Sequence, residues 1–447
     1  MNWEGVLTLK NTMETWLLEI PVLASGFPLS FSWQGFSDFL LNFAFFYPLF
    51  MAYLWMIGAC IYFFHWERNE GRGPEEVPDL SEYPPVSIIV PCHNEARSIE
   101  ESVEALMDQR YPEYEVLVVD DGSNDNTLAI VKKLLPRYPR LRLIHLPHNQ
   151  GKAMALSAGA LISRYEFLIC IDGDALLAPE ATTWIMKHFV GSPRVGAVTG
   201  NPRVRTRSTL LGRIQVGEFS AIIGLIKRAQ RIYGRVFTVS GVVSAFRKSA
   251  LHHVGYWSND MVTEDIDISW KMQLNHWDIR FEPNALCWIL MPETYSGLWR
   301  QRLRWAQGGV EVLLRYWRDL FLWRKRRMWP VYFEYFTSLC WSYVMVGTFF
   351  LWTLGQFVTL PSYLHIASIL PGWNGVLLGI TCLLQFALSL ILDSRYEKGI
   401  FKNYFWIIWY PLVYWLINVL TMVVAVPKTV LSSRQRARWI SPDRGLQ

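Results

Sequence analysis

Charge is scarce in this chain. Asp, Glu, Lys and Arg make up 18% of its 447 residues, where soluble domains carry about 25%; the shortfall argues against a protein wholly surrounded by water. The six cysteines, Cys60, Cys92, Cys170, Cys287, Cys340 and Cys382, include no Cys-x-x-Cys pair, so neither a disulfide frame nor a zinc site is indicated. No G-x-x-x-x-G-K-[ST] or G-x-G-x-x-G string occurs, which removes the usual ATPase and dinucleotide fingerprints. A net charge of +5 is modest for this length and gives nucleic-acid binding no support. Residues 1–38 lack the basic start and cleavage site of a signal peptide.

What is abundant is aromatic and apolar. Aromatic residues reach 15%, with 22 Trp, as suits segments at bilayer interfaces, where indole and phenol rings are favoured over water or lipid alone. Residues 39–64 run without a charge and exceed the ~20 apolar residues that cross a bilayer. His65, Arg68 and Arg72 follow, so the positive-inside tendency puts the next segment in the cytoplasm. Three more apolar runs, 331–358, 372–392 and 404–426, precede a tail with Lys428, Arg434, Arg436, Arg438 and Arg444. Three crossings would leave that basic tail outside, against the same tendency; either the run near 331 or the one near 404 is not a simple span, or the charge rule fails. The expected organisation is an N-terminal segment (1–38), a membrane helix (39–64), a linker (65–85), a catalytic domain (86–295), interfacial helices (296–330), about three membrane helices (331–427) and a basic tail (428–447).

Between 86 and 293 short apolar runs alternate with amphipathic stretches. Residues 86–90, 116–119, 141–146 and 167–171 read as strands; Ile99, Val103, Leu106 and Met107, then Leu128, Val131, Leu134 and Leu135, fall at helical spacing. Strand alternating with helix implies an α/β domain with a doubly wound, mostly parallel sheet, in which ligands bind beyond the carboxyl ends of the strands. Three acidic or polar stations follow predicted strands there: Pro91-Cys-His-Asn94-Glu95, Asp120-Asp121-Gly-Ser and Asp172-Gly-Asp174.

Each station has a chemical reading and a plainer one. Asp121 can accept hydrogen bonds from a nucleobase or ribose, or belong to an ordinary Asp-Gly turn. Asp172 and Asp174, flanking one small residue, can bind a divalent ion that bridges a diphosphate, for which hard oxygen ligands suit Mg²⁺ or Mn²⁺; a structural turn is the alternative. Thr263-Glu264-Asp265 precedes Ile266, Trp270 and Leu274 at helical spacing, with Thr263 as the N-cap. Acidic residues in a first turn are common for electrostatic reasons alone. A helix N-terminus lowers a carboxylate pKa while burial raises it, and a general base needs the latter. Gln301, Arg304, Trp305 and Gly308 fall at i, i+3, i+4 and i+7 on one helix face: Arg304 can hold a diphosphate, Trp305 can face a sugar ring, and the alternative is anchorage to headgroups. Lys227, Arg228, Arg231 and Arg235 form a further basic cluster, read as facing lipid headgroups, with a cyclic dinucleotide as the minority reading.

In this order the motifs resemble the processive family 2 glycosyltransferases of GT-A fold, the group of cellulose, chitin and hyaluronan synthases. Within it, GNPRVRTRST, RIYGRVFTVSG, MVTEDIDISWKMQLN, CWILMPET, QRLRWAQGG and QRARWISPDRG resemble the branch that makes the β-1,6-linked N-acetylglucosamine polymer of bacterial biofilms. The likeness spans about residues 40–447. It implies that Asn94, Glu95 and Asp121 hold uridine, that Lys152 and Asp172 help hold the donor, and that Asp174, with Asp172, binds Mg²⁺ or Mn²⁺. Asp265 would be the base, supported by Glu264, with Gln301, Arg304 and Trp305 at the acceptor terminus and diphosphate. The resemblance further implies UDP-GlcNAc as donor, a growing polysaccharide as acceptor and product, an inner-membrane location with the catalytic domain in the cytoplasm, and a small two-span partner subunit. His93 stands where many relatives carry Tyr or Phe, and Asp120 where close relatives carry Asn. A chitin- or hyaluronan-type synthase is the alternative within enzymes, and a non-catalytic membrane scaffold or transporter the alternative outside them.

Overall fold

The computed structural model describes residues 33–70, 73–366, 373–410, 415–432 and 439. Most of the N-terminal segment, Arg72, and Arg434, Arg436, Arg438 and Arg444 of the tail lie outside the described residues. The first helix, α1 (Trp33–Tyr62), takes in the uncharged run and ends in a π-helical turn, Phe63–Glu67.

The α/β domain follows as β1 (Val86–Cys92), α2 (Ile99–Met107), β2 (Tyr114–Asp121), α3 (Thr127–Leu134), β3 (Leu141–Leu146), α4 (Lys152–Ile162) and β4 (Phe167–Ile171). After β4 come β5 (Leu176–Leu177), α5 (Ala181–Val190), β6 (Val195–Val204), α6 (Leu210–Phe219), a π-helical stretch Ser220–Ile226, and α7 (Lys227–Ile232). The domain closes with β7 (Val243–Arg247), α8 (Lys248–Val254), α9 (Glu264–Leu274) and β8 (Asp278–Ile289). One eight-stranded sheet runs β3-β2-β1-β4-β7-β6-β8-β5. Pairing is parallel from β3 through β4, antiparallel where β7 joins β4 and β6, parallel for β6 with β8, and antiparallel for β8 with β5.

Burial of β1 on both faces explains its unbroken apolar run. Val86, Ile88 and Val90 pack with Ile99, Val103 and Leu106 of α2, while Ile89 turns the other way, onto Ala153, Leu156 and Ala160 of α4. Because β1 lies between β2 and β4 in parallel register, the segments after all three strands emerge at one edge. This is the switch point at which open α/β sheets bind ligands.

Beyond the sheet stand α10 (Tyr295–Tyr316), two 3-10 turns (Trp317–Phe321 and Trp323–Met328), α11 (Trp329–Gly355), α12 (Trp373–Asp393), a 3-10 turn Ile400–Asn403, α13 (Tyr404–Ile407) and α14 (Trp415–Leu431). Three helical stretches are long and apolar enough to cross a membrane among the described residues: Gln34–Glu67, Trp323–Gly355 and Asn374–Asp393. The expected run at 404–426 contains the four-residue α13 and most of the 17-residue α14 among its described residues. In the stretch expected to be interfacial, α10 buries Leu298, Arg302, Ala306, Val310 and Leu313, with Ala306 and Val310 against Ala425 of α14. Exposed Trp317, Phe321, Leu322 and Trp323 follow it.

The basic cluster of α7, expected to face lipid headgroups, is a correction. Arg228 is wholly buried and clamps the apolar helices to the sheet: it pairs with Glu67 after α1 at 2.6 Å and with Asp393 at the end of α12 at 2.9 Å, and Arg203 of β6 reaches the same Asp393 at 2.8 Å. Arg231 pairs with Asp278 at 3.0 Å, and Lys227 and Arg235 are buried. An ammonium or guanidinium is buried only with partners, and here they come from distant parts of the chain.

Candidate active site

His93 and Asn94 follow β1. Asn94 takes a left-handed conformation (φ 56°), which Asn tolerates better than most residues, and its side chain is tied into the β2–α3 loop by accepting from Asn124 N at 2.8 Å. Glu95 is buried, its amide donating to Thr127 Oγ1 at 2.8 Å. Asp121 has no exposed surface: its two oxygens accept from Gln150 N and Gly151 N, each at 2.8 Å. Both oxygens thereby anchor the 149–151 loop beside the crevice. That loop leads straight into Lys152, the first residue of α4.

Lys152 joins stations far apart in sequence. Its Nζ lies 2.5 Å from Asp172 Oδ1, 3.2 Å from Glu264 Oε1 and 3.0 Å from the Gly241 carbonyl. Burial works against its charge, but the carboxylates of Asp172, Glu264 and Asp265 outweigh it and hold the lysine well above its usual range. Asp174, next to Asp172, is pushed up to about 7, first by burial and then by the Asp172 charge. A carboxylate so placed gains from a cation. The carboxylates of Asp172 and Asp174 are hard oxygen donors of the kind that suit a divalent ion taking its remaining ligands from water and a diphosphate.

The Thr263-Glu264-Asp265 motif opens α9, with Thr263 at the cap position but its hydroxyl making no cap hydrogen bond. Instead Thr263 is pressed against α10: a Cβ on Gly308 would overlap Thr263 Oγ1 and stand 2.6 Å from its Cβ. Glu311 of α10 accepts from Val262 N at 2.8 Å and fixes the same loop. The two carboxylates diverge in acidity. Burial raises Glu264, but Lys152 and Arg304 more than offset it and leave it below the ordinary value. Asp265 is pushed up to about 6, by burial and by the neighbouring Glu264. The charges of Lys152 and Arg304 thus overcome burial at Glu264 but not at Asp265, where Glu264 adds to it.

On α10, Arg304 is exposed and its charge acts on Asp172, Glu264 and Asp265. Gln301 keeps a buried Oε1 with no hydrogen-bond partner among the described residues. Trp305 is half-buried beside Phe219, with ring centroids 6.3 Å apart, and is held by the Arg302 guanidinium 4.3 Å from its ring centre. Arg302 is itself fixed at 2.5 Å by Glu218.

Sequence reasoning missed Arg302, Asn149, Gly241 and Trp439. Asn149 donates to the Trp439 carbonyl at 2.9 Å and accepts from its amide at 3.2 Å, while the Trp439 and His93 rings are 6.4 Å apart. Trp439 is thus packed beside the segments that follow β1 and β3. Only the basic-aromatic QRARW string hinted at a role there.

A model of glycosyl transferase family 2 matches residues 87–255. The poly-β-1,6-N-acetyl-D-glucosamine synthase of Staphylococcus epidermidis is 37% identical over 407 residues, covering 91% of this chain and 98% of the relative. The enzyme of the same name from Staphylococcus aureus (strain COL) is 38% identical over 408 residues, covering 90% and 98%. Among solved structures, the mannosyltransferase PcManGT from Pyrobaculum calidifontis, in complex with GDP-Man and Mn²⁺, superposes with a TM-score of 0.62 at 21% identity, over 90% of this chain and 99% of that one. That likeness is one of fold.

Proposed function

The chain belongs to the poly-β-1,6-N-acetyl-D-glucosamine synthases of glycosyl transferase family 2, and from that membership we propose that it polymerises N-acetylglucosamine from UDP-GlcNAc into a β-1,6-linked exopolysaccharide. The reaction is one inverting displacement. The O6 hydroxyl of the growing chain attacks C1 of the donor, the C1–O bond to the diphosphate breaks with its electron pair leaving on UDP, and the hydroxyl proton passes to Asp265.

The observation that carries this reading is the position of Lys152, within ion-pair distance of Asp172 and of Glu264. It joins the carboxylates expected at the diphosphate to the motif expected at the acceptor, so leaving group and nucleophile would meet in one pocket. Lys152 and Arg304 would hold the diphosphate by charge-assisted hydrogen bonds, and Glu264, kept ionised, would hold Lys152. Asp174, with Asp172, would hold Mg²⁺ or Mn²⁺; when bound, the ion neutralises the charge that develops on the leaving diphosphate. Asn94 and Glu95, with the loop anchored by Asp121, would form the uridine side, and Gln301 and Trp305 the acceptor side, where an unspent amide oxygen and an aromatic face suit a sugar.

The protein is membrane-associated, with three helices long and apolar enough to span. We place it in the bacterial inner membrane with the sheet domain and Trp439 on the cytoplasmic side, feeding polymer outward past the apolar helices, beside a small two-span partner. Buried ion pairs on Arg228 and Arg231 take away the support that cluster offered for a cyclic dinucleotide. Membranes containing the protein and its partner, given radiolabelled UDP-GlcNAc and Mg²⁺, should incorporate label into polymer; incorporation from a different UDP-sugar alone would overturn the donor assignment.

A further inference from the structure

Lys227 opens α7 one residue before Arg228, yet it shares none of that arginine's ion pairs. The side chain is 5% exposed, and its ammonium donates to Thr199 Oγ1 of β6 at 3.0 Å. No carboxylate lies within ion-pair distance of it among the described residues. A buried ammonium with three donors and one partner is costly, and its retention needs a reason.

Thr199 supplies the geometry. Its Oγ1 also accepts from Ser240 N at 2.8 Å, so the lysine and the 240–241 segment are fastened to one atom. Gly241 lies directly against Asp265, since a Cβ there would stand 2.9 Å from Asp265 Oδ2. Its carbonyl takes Lys152 at 3.0 Å. A continuous path therefore runs from Lys227 through Thr199, Ser240 and Gly241 to the carboxylate.

We propose that Lys227 is a positioning residue for Asp265, fixing through Thr199 the segment that backs the carboxylate and supplying a cation separate from those that face the donor. The inference rests on the reading of Asp265 as the base. The charged groups acting on Asp265 are Glu264, Lys152 and Arg304; Lys152 and Arg304 are the two expected to turn to a diphosphate. On Lys227 the one opposing charge is Asp265, set against a burial that brings the amine down to about 7. A positive charge on Lys227 acts on Asp265 in the same direction as Lys152 and Arg304, favouring the ionised carboxylate.

The test is the Lys227→Met variant of the full chain, assayed in membranes with its partner. Turnover should fall about tenfold with the donor KM within about twofold, and the acid limb of the kcat profile should move upward by about half a pH unit or more, because losing a nearby cation raises a carboxylate pKa. An unmoved limb with near-native turnover overturns the proposal. Thr199→Val retains the charge and removes the hydrogen bond, so it should lower kcat and leave the limb in place; kcat within about twofold of wild type in that variant contradicts the path through Thr199, including where Lys227→Met fails to accumulate. Asp265→Asn separates the two readings. Near-native turnover there removes the base itself, whereas its loss together with an unmoved limb in Lys227→Met removes this inference alone.

Discussion

Asn149 grips the backbone of Trp439 on both sides of its amide, donating to the carbonyl at 2.9 Å and accepting from the N–H at 3.2 Å. The same Asn149 lies 3.1 Å from His93 Nε2, while His93 Nδ1 lies 2.8 Å from the Asp121 carbonyl. Trp439 is thus latched to the segments that follow β1 and β2, where the uridine is expected. Asn149→Ala should raise the donor KM by about fivefold to thirtyfold, the worth of one or two hydrogen bonds at about 1 kcal/mol each, with a smaller effect on kcat. Steady-state kinetics over a range of UDP-GlcNAc concentrations measures it.

Gly308→Ala should reduce turnover by about a hundredfold or more, because the added methyl overlaps Thr263 Oγ1 and moves the loop that begins the Glu264-Asp265 helix, and a displacement of about 1 Å at reacting groups costs that much. Adding Thr263→Ala should recover part of the loss, since it removes the overlapping atom. Initial rates of the single and double variants are the check.

Arg228→Ala should act on stability rather than on any nucleotide response. It leaves Glu67 and Asp393 buried with their shared cation gone, a loss of about 3–5 kcal/mol for a broken buried pair. The melting temperature in detergent, compared with wild type, reads this directly.

Activity should fall as pH drops through about 6, the value to which burial and Glu264 raise Asp265. The sign follows from the role: a base must be ionised to accept a proton, so each pH unit below that midpoint costs about tenfold in kcat. Glu264, held low by Lys152 and Arg304, adds no second limb near neutrality. A kcat profile from pH 5 to 8 at saturating donor tests it.

Much of this was legible in the chain. Strand β4 falls on the apolar run at 167–171, because a strand buried on both faces leaves an unbroken apolar signature, and the edge strand β3 falls on 141–146, where Arg142 and His145 interrupt the apolar residues. The carboxylates ending such runs were visible for the same reason. What the residue pattern could not carry was pairing at a distance. Lys227 and Arg228 read as an exposed basic cluster, since nothing nearby announces Glu67 or Asp393 as partners; Asn149 meets Trp439 across 290 residues. Asp121 is legible as a strand-end carboxylate, but its hold on the backbone of Gln150 and Gly151 is set by where a loop returns. Thr263 had the right position for a cap, but the close approach of Gly308 decided where its hydroxyl went.

The linkage of the product bears most directly on the central claim. Polymer made from radiolabelled UDP-GlcNAc by membranes holding this protein and its partner, with Mg²⁺, should be degraded by a β-1,6-specific hexosaminidase and resist chitinase. Polymer cut by chitinase and resistant to the hexosaminidase would contradict the account, moving the attacking hydroxyl from O6 to O4.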